Sequence, residues 1–170
     1  MLKLIGSVLL MGGASAMGFS AAAHLRTRVR CLRSFAAAVE YMERELSFRL
    51  TPTPALLRDL TDTAFAPANR FFAHCSGKLS ELGEKPLNIL WRQALEKSGL
   101  PLEQDEMRTL FELGEIIGRY DGDGQCEALS LARDRLEGFV KCALEEQYRL
   151  EKVYRALGLS SGAFLLLVLL

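Results

Sequence analysis

Two long uncharged runs, one near each end of the chain, limit what this sequence can fold into. Leu4–Ala23 holds twenty residues without an ionisable side chain, and Ala156–Leu170 holds fifteen more. Twenty residues of α-helix rise about 30 Å, the thickness of a bilayer's hydrocarbon core. Fifteen residues rise about 22 Å, short for a full span. Val153 and Tyr154 lengthen the second run, with Lys152 and Arg155 reaching for the headgroups, and local thinning of the bilayer covers the remainder. Both runs are read as transmembrane helices, residues 1–23 and 156–170. The competing reading of the second is a hydrophobic helix inside a soluble core. Its apolarity on every side favours the span.

The charged flanks set the orientation. Arg26, Arg28, Arg30 and Arg33 follow the first run, and Lys152 and Arg155 adjoin the second. Positive flanks stay in the cytoplasm, so residues 24–155 are expected there as one domain held at both ends. A cleaved secretory signal competes with this reading: Lys3, the apolar stretch Leu4–Met11 and the small-residue site Ala14-Ser15-Ala16 have its pattern. Four arginines just past that site argue against export. Gly158 and Gly162 form a G-x-x-x-G pair, and Gly12, Gly13 and Ala16 give the first run a small face, which suits close packing of membrane helices.

The middle of the chain has helical periodicity. Leu25, Val29, Leu32, Ala36, Val39, Met42, Leu46 and Leu50 recur at steps of three and four, the stripe of an amphipathic helix continuing the first span. Thr51-Pro52-Thr53-Pro54 ends it, with Thr53 as N-cap and Pro54 as first residue of a short helix to Asp62. Further helices are expected from Pro67 to Leu82, from Pro86 to Gly99, and from Pro101 or Leu102 to near Gly118. Asp121–Gln125 reads as a loop. The last helix carries Leu129, Ala132, Leu136, Phe139, Ala143 and Leu150 and runs into the second span. No stretch alternates as a strand. The fold class is all-α: an antiparallel bundle of about six helices between two terminal transmembrane helices.

Catalytic and metal motifs are missing. No phosphate-binding glycine loop, nucleophile elbow or H-E-x-x-H occurs. His74 and Cys75 are adjacent, so on a helix they point about 100° apart and do not pair. Asp121-Gly122-Asp123-Gly124-Gln125 opens like a calcium loop, yet Cys126 and Ala132 stand where that loop needs glycine and glutamate. Cys31, Cys75, Cys126 and Cys142 are too widely spaced for a zinc site and read as free thiols. No cofactor or metal is expected. Net charge is zero, which gives no attraction to nucleic acid. The charge is uneven: residues 101–146 carry 12 acidic and 5 basic side chains, whereas residues 24–100 carry 8 and 12. Solvated helix faces account for this, and an acidic docking surface competes.

Several stretches together resemble the stage III sporulation protein AB family of endospore-forming bacteria. They are Met1–Gly6, "LRTRVRCLRSF", "EYMERELSFRLTP" leading into "TPALL", "LNILWRQAL", "LGEIIGRYDGDGQ" and "EKVYRALGLSSGAFLLLVLL". Tyr120 stands where the family pattern is expected to have serine. The second half also resembles the helical cytoplasmic domain of type II secretion platform proteins. The resemblance implies a non-enzymatic membrane platform in a secretion-like channel assembly between mother cell and forespore. It would sit in the mother-cell membrane around the forespore, with its bundle facing the cytoplasm. Implied partners are a secretion-type ATPase, other membrane subunits of that assembly and the lipid bilayer, with homo-oligomerisation left open. Asp121 and Gln125, which keep the family pattern, are candidate partner contacts. Trp91 is a third, weighed against a place in the core. A membrane-anchored enzyme with an unfamiliar site, and an exported helical protein, are the competing functions.

Overall fold

The computed structural model describes the backbone of residues 2–49, 51–83, 85–117 and 122–169, and the side chains of residues 23–49, 51–81, 85–117 and 124–153. Among the described residues six α-helices follow in order: α1 (Leu2–Arg44), α2 (Thr53–Thr63), α3 (Ala68–Gly77), α4 (Leu87–Lys97), α5 (Gln104–Ile116) and α6 (Gly122–Leu169). A π-helical turn, Glu45–Arg49, extends α1, and a 3₁₀ turn, Leu79–Gly83, follows α3. The described residues include no strand. Among them, no helix is long and apolar enough to cross a membrane. The packing expected of Gly12, Gly13, Ala16, Gly158 and Gly162 lies outside the described side chains.

Backbone contacts divide the chain into two units, Met1–Thr27 with Cys142–Leu170, and Arg28–Lys141. In the first, Leu25 and Ala143 are buried, and Arg26 pairs with Glu151 at 3.0 Å. This ion pair joins α1 to α6. The second unit is a bundle. Val29, Leu32, Phe35, Val39 and Met42 from α1 are buried in it, as are Leu56, Leu57 and Leu60 from α2. So are Phe71 and Phe72 from α3, Leu90, Trp91 and Leu95 from α4, Leu110 and Leu113 from α5, and Leu129 and Leu136 from α6. The three-and-four spacing puts each set on one stripe, and the stripes converge.

Four rings make the centre of that core. Phe71 meets Trp91 edge-on with centroids 4.8 Å apart, and Phe72 meets Phe71 at 5.1 Å. Phe35 tilts onto Phe71 at 5.5 Å. Edge-on contacts set the positive ring edge against the negative face. The indole N–H of Trp91 is satisfied by the Leu110 carbonyl at 2.8 Å.

Several helix ends differ from the sequence expectation. Pro52, not Thr53, is the N-cap of α2, and no side chain caps it. The segment from Pro67 splits into α3 and the 3₁₀ turn. Helix α5 starts at Gln104, because Glu103 and Glu106 close a capping box there, with the Glu103 N–H on Glu106 Oε2 at 2.8 Å. Helix α5 ends at Ile116, short of Gly118. The expected loop at Asp121–Gln125 is mostly helix, since α6 already begins at Gly122. Glycine and aspartate favour turns, but a first helical turn also accepts them, because its N–H groups have no helical acceptor and its dipole favours acidic residues.

Candidate functional site

Arg28 departs most from the sequence reading. It lies on the Leu25–Leu32 stripe and is only 7% exposed. Its Nε donates to Glu106 Oε1 at 3.0 Å, its Nη2 donates to the same oxygen at 2.7 Å, and a further contact reaches Glu103. Glu106 is 1% exposed. A buried charge is tolerated when it is paired and hydrogen-bonded, and here each carboxylate also serves the capping box. Arg28 is therefore no headgroup-facing determinant of topology; it ties α1 to the start of α5. Arg26, Arg30 and Arg33 are exposed, as is Lys152. The side chain of Arg155 lies outside the described residues.

A groove of about 630 Å³ opens within the Arg28–Lys141 unit. Thr53, Pro54 and Leu57 of α2 form one wall, and Pro86, Leu87 and Asn88 line the entry to α4. Leu79, Glu115, Ile117 and Gln125 complete it. Neither α2 nor α4 has a side-chain cap. Gln125 uses its Nε2 to donate to the Ile117 carbonyl at 3.0 Å, which satisfies a group left open where α5 ends. Asn88 Oδ1 is buried without a partner. Glu115 on the rim pairs with Arg92 at 3.0 Å, and Arg92 also sits over the Phe111 ring at 5.0 Å.

Of the three predicted partner contacts, Gln125 reaches this groove, Trp91 does not, and Asp121 lies outside the described residues. Trp91 is 1% exposed, so its role is to pack; the surrounding rings exclude a direct contact with a partner. The acidic residues of α5 are also less available than a charge count suggests. Glu112 holds Arg108 and Arg135, and Glu103 and Glu106 hold Arg28. Among the described large apolar side chains, Phe48 on the π-helical turn and Phe65 between α2 and α3 are the most exposed, at 84% and 74%. Periodicity does not flag them, because neither falls on a buried stripe.

All four cysteines are free thiols. Burial, aided by the Glu106 carboxylate, pushes Cys31 up to about 12, and burial does the same to Cys75. Neither is a nucleophile near neutral pH. The described residues contain no cluster of three His, Cys, Asp or Glu side chains able to hold a metal.

Comparison with known proteins gives a consistent result. The family described as Stage III sporulation protein AB matches residues 3–170. The chain is 29% identical over 172 residues to the stage III sporulation protein AB of Bacillus subtilis (strain 168), covering both chains fully. It is also similar to a solved structure of stage III sporulation protein AB (SpoIIIAB), with a TM-score of 0.65 and 26% identity, over 72% of this chain and 98% of that one.

Proposed function

We propose that this chain, which belongs to the stage III sporulation protein AB family, is a non-enzymatic membrane platform in a secretion-like assembly of the sporulating cell. Its two apolar runs span the mother-cell membrane around the forespore. Residues 24–155 face the cytoplasm and offer a docking body to a secretion-type ATPase and to neighbouring membrane subunits.

The observation that carries this reading is the Arg26–Glu151 pair. Arg26 stands three residues past the uncharged run Leu4–Ala23, and Glu151 stands five before Ala156–Leu170. Their 3.0 Å contact brings the inner ends of the two runs to one level, as an antiparallel membrane hairpin requires. An enzyme would need no such arrangement. A body held at two points is oriented, so any partner meets the same surface each time.

Cysteine labelling tests the topology. With the exposed Cys142 replaced by serine, Arg70→Cys should react with a membrane-impermeant maleimide only after sporulating cells are opened. Labelling in intact cells would refute the orientation. Photocrosslinking from Leu87, at the groove, should capture a subunit of the assembly.

A further inference from the structure

We draw no further inference here: the strongest candidate, the largely apolar groove at the starts of α2 and α4 lined by Pro54, Leu57, Leu79, Pro86, Leu87 and Asn88, belongs to the site already described, and nothing in the structure shows what covers it.

Discussion

Gly114 of α5 lies flat against the indole of Trp91 on α4: a β-carbon at Gly114 would fall 2.2 Å from Trp91 Cδ1 and 2.5 Å from Cγ. The absent side chain is what lets α4 and α5 close on each other with the Trp91–Leu110 hydrogen bond intact. Gly114→Ala therefore sets two effects against each other. Helix propensity favours alanine by about 1 kcal/mol. Overpacking costs about 1–3 kcal/mol, and the neighbour here is a ring packed edge-on against Phe71 and Phe72 and held by its hydrogen bond to Leu110, so it has little room to swing aside. A net loss of stability is expected, read as a lower urea midpoint. A midpoint that rises would show that the core yields.

The Arg28–Glu106 pair should behave as a buried ion pair. Arg28→Ala leaves the Glu106 charge buried without its partner, at a cost of about 3–5 kcal/mol, whereas Glu106→Ala leaves Arg28 paired with Glu103 and should cost less. Arg28→Met with Glu106→Leu should cost less than Arg28→Ala, because no buried charge is stranded. Arg30→Ala, two residues away and exposed, should stay within about 0.5 kcal/mol. Equal losses for Arg28→Ala and Arg30→Ala would contradict the burial of Arg28.

Thiol reactivity should rank the cysteines by exposure. At pH 8, Cys142 is expected to react with a disulfide reagent first, while Cys31 and Cys75 stay protected until the chain unfolds. The pH dependence has a definite sign. Both buried thiols rise from an ordinary 9.0 to about 12, so the folded state keeps protons that the unfolded state releases. The stability this contributes is complete below pH 9 and is lost as pH rises toward 12. Replacing Cys31 and Cys75 by alanine should flatten that alkaline limb in a urea series.

Gln125→Ala should destabilise the bundle by about 1 kcal/mol, the net worth of a typical hydrogen bond, because the Ile117 carbonyl loses its donor. Gln125→Glu should cost at least as much, since an ionised carboxylate cannot donate. If both substitutions leave the midpoint unchanged, Gln125 does not close the end of α5.

The helical content of the middle of the chain was legible because its apolar residues recur at three and four. Leu25, Val29, Leu32, Val39 and Met42 are all buried as that spacing requires. Helix ends were less legible. Proline and glycine mark where a helix can start or stop, but α5 waits for the Glu103–Glu106 box, and α6 starts inside a stretch rich in turn-forming residues. Arg28 carried one readable signal, its place on the stripe with Leu25 and Leu32. Its neighbours in an arginine-rich run concealed that signal.

From the sequence alone came the all-helical class, the two apolar runs, the family and the surplus of acidic residues after Pro101. These depend on local periodicity, composition and order, which a linear chain displays. Which arginine is buried, which glutamates are already paired, and why Gly114 must lack a side chain were settled only by the tertiary structure. Each depends on a partner far along the chain: Glu106 for Arg28, Glu43 for Arg133, Trp91 for Gly114. Desolvation and van der Waals repulsion act over a few ångströms in space, so spacing along the chain does not reveal them until the helices meet.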